Sequence, residues 1–134
     1  MDIQKKPYYM IVTEDKPGEA ARLTAAMMRA QVDLEGMWGF GSGDSQHAQF
    51  IVVPQDRAAF ERAARVEGWV VQPGTCFRIS GEDRRGALVE SLQKIAASGI
   101  NLRGVDAMAF EGQFGCYLWV DEHGLPKLEA ILGV

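Results

Sequence analysis

Aromatic and β-branched residues crowd residues 7–13, a composition that predicts a strand. Asp15-Lys16-Pro17-Gly18 is turn chemistry, and Pro17 suits the first turn of a helix. Residues 19–31 then carry Ala20, Thr24 and Met27 on one stripe at helical spacing. Residues 33–40 read as a second strand and Gly41-Ser42-Gly43-Asp44 as a hairpin turn. Residues 46–53 form a third strand in which Ala48, Phe50 and Val52 alternate as a buried face does, and Pro54 ends it. A second helix is predicted over 55–67, with Phe60, Ala63 and Ala64 inward and Gly68 as its stop. Trp69-Val70-Val71 begins a fourth strand, which Pro73-Gly74 is expected to break. The order is βαββαβ.

The pattern then recurs. Sliding the sequence against itself by 68 positions sets Asp15 on Asp83, Gly18 on Gly86 and Gly36 on Gly104 without a gap. Apolar positions coincide as well: Ile11 with Ile79, Phe50 with Leu118, Phe60 with Leu128. The second copy reads as strand 76–80, helix 84–98 with Leu88, Leu92 and Ile95 in line, strand 100–110, turn Glu111-Gly112, strand 114–120 and helix 125–132. Two units follow, 1–74 and 75–134, the repeat itself starting at Pro7. The fold class is α+β, with two ferredoxin-like βαββαβ units in tandem, antiparallel sheets and helices on one sheet face. The second unit lacks its last strand, because the partner of Trp69 falls beyond Val134. Either residues 1–6 or a second chain can cover the edge this leaves. The sheet face opposite the helices carries Ile51 and Val53 in one copy and Tyr117 and Trp119 in the other, too apolar for water, so it is expected to be buried as an interface.

Composition narrows the function. The chain has 134 residues, 47% hydrophobic and 24% charged, and a formal net charge of −4. The acidic balance argues against nucleic acid as partner. No run approaches the roughly 20 apolar residues of a membrane helix, and the first six residues lack a signal-peptide core, so a cytoplasmic location is expected. Cys76 and Cys116 have no CxxC context, and His47 and His123 are isolated, so neither a disulfide nor a metal or cofactor is expected. Cys116 falls on the core position of Ala48, which predicts a small buried thiol. Arg57, Arg62, Arg65, Arg84 and Arg85 are expected on solvent faces of helices, and the methionines as core or interface filler. No nucleophile or acid–base constellation is visible, so no catalytic residue is assigned.

Asp15-Lys16-Pro17-Gly18 leading to Val32-Asp33-Leu34 resembles the opening of an ACT domain, and Asp83-Arg84-Arg85-Gly86 leading to Gly99-Ile100-Asn101-Leu102 resembles it more closely. The resemblance spans nearly the whole chain as a tandem pair with no catalytic domain attached. It implies regulatory binding of a small molecule, most often an amino acid, by units that pair edge to edge, and hence a homodimer and a possible partner metabolic enzyme. The positions that match the family's turn are Asp15, Gly18, Asp83 and Gly86, and Asn101 matches the Asn at the start of the second strand. Asp33 replaces that Asn in the first copy, where it lacks an amide donor and repels an anion. The second copy is therefore the better site. The chemistry agrees: a helix start suits a carboxylate, Gly permits close approach, and Asp can accept from an ammonium group. The competing reading is that Asp and Gly are ordinary cap and turn residues. A ligand-free oligomerisation module acting on a partner enzyme is the alternative function.

Overall fold

The computed structural model describes residues 1–41, 43 and 46–134. The hairpin turn expected at Gly41-Ser42-Gly43-Asp44 therefore lies partly outside the described residues. The elements run β1 (Asp2–Glu14), α1 (Glu19–Arg29), β2 (Leu34–Gly41), β3 (His47–Pro54), α2 (Arg57–Glu67), β4 (Val71–Glu82), α3 (Val89–Ala97), β5 (Gly104–Phe110), β6 (Gln113–Trp119) and α4 (Leu125–Leu132), with a single 3-10 turn, Glu122–Gly124, before α4. The chain divides into two compact units, Pro7–Gly74 and a second made of Met1–Lys6 with Thr75–Val134. The boundaries thus fall inside β1 and inside β4.

In the first unit the strand order is β2-β3-β1, followed by the start of β4, and β3 pairs antiparallel with both β1 and β2. Alternation does the work here: Tyr9 and Ile11 on β1 and Ala48, Phe50 and Val52 on β3 face one core with Leu23, Met27 and Phe60. Helix α2 begins where the Asp56 carboxylate accepts from the Ala59 N–H and stops at Gly68, whose φ of 72° an L side chain resists. Its inward residues are Phe60, Ala63 and Ala64, as its periodicity predicts. The α1 stripe is different. Ala20 and Thr24 are exposed, and Glu19, Leu23 and Met27 are buried. The repeat explains the correction, since their equivalents Ala87, Ser91 and Ile95 are also buried. The shared stripe is one position away from the one that the Leu residues of the second copy suggest.

The second unit repeats the plan with β4-β6-β5 and a core of Phe77, Ile79, Ile95, Phe114, Cys116, Leu118 and Leu128. Its fourth strand is supplied by Met1–Lys6, which resolves the alternatives that the sequence leaves open. Ile3 packs on this core, Asp2 pairs with Arg78 at 3.7 Å, and Lys5 reaches Glu129 at 3.4 Å. Residues that the sequence boundary groups with the first copy thus pack with the second. Pro73-Gly74 does not break the chain either: β4 runs through it as one strand from Val71 to Glu82. Pro73 and Gly74 fall where the strand passes from one unit to the other. Helix α3 starts at Val89 rather than at residue 84, because Gly86 holds φ at 78° and the preceding residues form a turn. Strand β5 starts at Gly104 rather than at residue 100. The β5–β6 connection is a two-residue turn with Glu111 at φ 53° and Gly112 at φ 82°, as Glu111-Gly112 predicts.

The copies differ in register. Ile11 pairs with Phe50, whereas its equivalent Ile79 pairs with Cys116, the equivalent of Ala48. The slip is two residues, so every side chain keeps its face. On the face opposite the helices Val53 is fully buried, and Ile51, Tyr117 and Trp119 are half-buried. Trp38 lies over Gly36, the cross-strand partner of Val53. Tyr117 and Trp119 stack with ring centroids 6.0 Å apart. The methionines divide: Met27 is core, but Met28 and Met108 are exposed to solvent.

Candidate functional site

The second unit holds an open cleft of about 390 Å³ between the turn before α3 and strand β5. Asp83, Arg84, Gly86 and Ala87 line it from the turn, Leu88 and Leu92 from the α3 side, and Ala107, Met108 and Phe114 from the hairpin. The Asp83 N–H donates to the Gly112 carbonyl at 2.8 Å, which ties the turn to the hairpin. Gly86 makes the turn possible because its φ of 78° is costly for any residue with a Cβ. Within the turn Ala87 N–H donates to Arg84 O and Val89 N–H to Gly86 O, so the helix start offers fewer free donors than expected. Arg84 supplies a positive charge in their place. Sequence reasoning put Arg84 on a solvent face of a helix; it precedes α3 and lines the cleft.

The first unit builds the same turn differently. Asp15 N–H donates to Gln46 O at 2.7 Å, and Gly18 sits at φ 92° as the N-cap of α1. Among the described residues three features crowd the equivalent space. Glu19, the counterpart of Ala87, is 7% exposed and accepts from Arg22 at 2.6 Å, which holds its carboxyl below the ordinary range. A Cβ at Gly39 would stand 2.5 Å from the Phe50 ring, and one at Gly41 would stand 2.6 Å from Asp15 Oδ2. Phe50 and Asp15 therefore lean onto bare backbone. In the second unit the counterparts of those glycines are Ala107 and Ala109, and the residue paired with Ala107 is the small Cys116 rather than a phenylalanine. Two methyl groups and one small partner keep the second cleft open.

The predicted site residues do not all meet. Asp83 and Gly86 share the cleft at the start of α3. Asn101 is exposed and follows the other end of α3, outside that cleft. Asp33 likewise lies beyond the end of α1, exposed, where it lines a separate hollow of about 300 Å³ with Thr24, Met28 and Gln31. Ala107, Leu92 and Phe114 were not legible as site residues; the only signal is small residues at alternate positions of an edge strand. Among the described residues no three His, Cys, Asp or Glu side chains gather as a metal needs. Cys116 is buried, and burial pushes its thiol up to about 11, with Asp106 adding to the shift. No helix among the described residues is long and apolar enough to cross a membrane.

The tandem fold and the two Asp-x-x-Gly turns define an ACT-type architecture. No family model matches the chain, and no curated protein matches it in sequence. Solved structures do. A protein from Bacteroides thetaiotaomicron superposes with TM-score 0.84 at 15% identity, covering 98% of this chain and 88% of that one. The ligand-free regulatory subunit of aspartate kinase from Thermus thermophilus gives 0.62 at 17% identity, with 98% and 94% covered. The corresponding Thermus flavus subunit gives 0.54 at 18%, with 98% and 93% covered. At these identities the likeness is one of fold.

Proposed function

We propose that this chain is a non-catalytic, cytoplasmic regulatory protein that binds an amino acid in the cleft of its second unit. The observation that carries the reading is the open cleft that places Asp83, Arg84 and Gly86 beside an apolar wall of Leu92 and Phe114. A zwitterion matches that arrangement: carboxylate toward Arg84, ammonium toward Asp83, side chain toward the wall. The volume suits a small metabolite. A likeness in fold to regulatory subunits of aspartate kinase supports a regulatory role. The homodimer is part of the same proposal. Strand β5 is a sheet edge with Val105, Met108 and Phe110 exposed, and an exposed apolar edge invites a second copy. A partner metabolic enzyme is the target such a subunit would act on. Asn101 and Asp33, outside the cleft, enter only if that second copy completes the site.

Thermal unfolding in the presence of each of the twenty amino acids tests the reading. At a hundred times Kd one ligand raises stability by about 2.7 kcal/mol, a shift of several degrees for a chain of this size. No stabilisation by any of them at millimolar concentration would refute it. Phe110→Glu, examined by light scattering, tests the dimer, which should dissociate.

A further inference from the structure

The first unit contains a second cleft, of about 270 Å³, that the amino-acid reading does not use. Helix α2 presents Arg57, Glu61 and Arg65 at successive four-residue steps, which stack on one helix face. Tyr9 of β1 reaches this cleft from below, and Trp69 and Pro73 wall it. Tyr9 is 2% exposed, yet its hydroxyl is fully used: it donates to Glu61 Oε1 at 2.5 Å and accepts from Arg57 Nε at 3.0 Å. Arg57 Nε also donates to the same Glu61 oxygen at 3.1 Å. The triad therefore holds the guanidinium by its inner nitrogen. Among the described residues no hydrogen bond or ion pair engages its two terminal nitrogens or the Arg65 side chain, although the Arg65 charge acts on Glu61.

The repeat shows that folding does not need this arrangement. Phe77 stands in place of Tyr9 and is equally buried, and Leu125 stands in place of Arg57. The ring serves the core in both copies. The hydroxyl and the guanidinium are additions to one copy only, and they orient a cation whose free end meets a cleft. Two arginines against one glutamate leave the cleft with a surplus positive charge. Trp69 offers a flat apolar surface beside it.

We propose that this cleft binds a small organic acid, with the carboxylate on the terminal nitrogens of Arg57 and on Arg65 and a flat apolar body against Trp69 and Pro73. Arginine favours a planar carboxylate over a neutral amide by charge as well as geometry. Such a ligand would not compete with the amino acid for one site, because the two clefts lie in different units.

Benzoate is the probe, and its neutral isostere benzamide is the control. Titrations followed by ¹H–¹⁵N spectra should show saturable shifts of the Trp69 indole N–H and the Arg57 Nε–H with benzoate, and binding at least about tenfold weaker with benzamide. Arg57→Met and Arg65→Met should each weaken benzoate by about tenfold or more while the rest of the spectrum stays folded. Tyr9→Phe, which copies the second unit, should weaken it less, by freeing Arg57 without removing it. Ala87→Glu, in the other unit, should leave benzoate binding unchanged. Equal shifts with benzamide, no shifts at about 10 mM benzoate, or unchanged binding in the Arg57→Met/Arg65→Met pair would each overturn the proposal. None of these outcomes depends on whether an amino acid binds the other cleft.

Discussion

Ala87→Glu should close the cleft of the second unit to the amino acid proposed to bind there. The substitution reproduces in the second unit what Glu19 does in the first, where a buried carboxylate occupies the start of the helix. Ala87 is 9% exposed and lines the cleft beside Arg84 and Gly86, so a Glu there competes with the ligand carboxylate for the same positive charge. Two like charges about 4 Å apart repel by ~1 kcal/mol in bulk water and ~4 kcal/mol at the effective dielectric of a protein surface. The cleft is open to solvent on one side, so the cost lies between those limits. Affinity should fall between about fivefold and a thousandfold. Ala87→Gln separates charge from bulk, since it matches Glu in size and should lose far less.

The first unit also shows what would stabilise the variant. Glu19 is paired with Arg22, and the residue equivalent to Arg22 is Glu90, so Ala87→Glu alone places two acidic residues three apart. The double change Ala87→Glu/Glu90→Arg restores the pair and should fold as the parent does while still excluding ligand. Calorimetric titration with whichever amino acid stabilises the parent is the assay. Parent-like affinity in the double variant would refute the reasoning, because fold and charge would then both be as intended. Glu19→Ala makes the reciprocal point. Phe50 still covers Gly39 and Asp15 still covers Gly41, so the stoichiometry should stay at one ligand per chain.

Other expectations follow from the same geometry. Burial pushes the Cys116 thiol up to about 11, so its contribution should be complete below pH 9 and be lost as pH rises through 11. Urea unfolding in a Cys76→Ala background should lose up to about 2–3 kcal/mol over that window, and Cys116→Ala should flatten the loss. Phe60→Ala should cost about 3–5 kcal/mol in the same assay, since the ring is fully buried against Tyr9 at 4.6 Å and Trp69 at 6.3 Å. Ile3→Asn should destabilise by about 1–3 kcal/mol and promote self-association seen by light scattering, because it loosens the strand that covers an edge of β4. Glu19 has its carboxyl lowered by Arg22, so its contribution is present above the ordinary carboxylate range and lost as pH falls through the lowered value; Glu19→Gln should remove that acid-side dependence of the midpoint.

Much of this fold is legible because each copy checks the other. The register of the repeat identifies Tyr9 with Phe77, Ile11 with Ile79 and Phe60 with Leu128, and all six are buried. Alternation places Ala48, Phe50 and Val52 correctly, and a cap and a glycine bound α2. What failed has physical causes. The α1 stripe was misplaced because Leu88 and Leu92 are hydrophobic but only half-buried, whereas Glu19 is polar and buried through its arginine. Pro73-Gly74 looked like an end because local turn chemistry carries no information about which strand lies alongside. The turn motif was visible, but its openness was not. Whether an Asp-x-x-Gly turn faces a cleft depends on residues more than 20 positions away, Gly39 and Gly41 in one unit and Ala107 and Ala109 in the other.

That dependence says how two copies of one unit come to do different things. The two copies share one order of strands and helices, but their cross-strand register differs by two residues, and that sets Phe50 opposite Gly39 in one and Cys116 opposite Ala107 in the other. The first copy has a carboxylate at the helix start, a large residue over one glycine of the edge strand, and a second glycine there that receives the Asp15 carboxylate. Each of the three is local, and each is paired with its opposite in the other copy: Glu19 with Ala87, Phe50 over Gly39 with Cys116 beside Ala107, Asp15 over Gly41 with Asp83 beside Ala109. The copy in which that space is crowded is also the one that carries Tyr9, Arg57 and Trp69 around another cleft. Burial constrains the ring at position 9 but not its hydroxyl, so that position was free to acquire chemistry without loss of the core. In this repeat the buried core positions and the Asp-x-x-Gly turn recur in both copies, whereas Arg57 and the Tyr9 hydroxyl stand in one copy only.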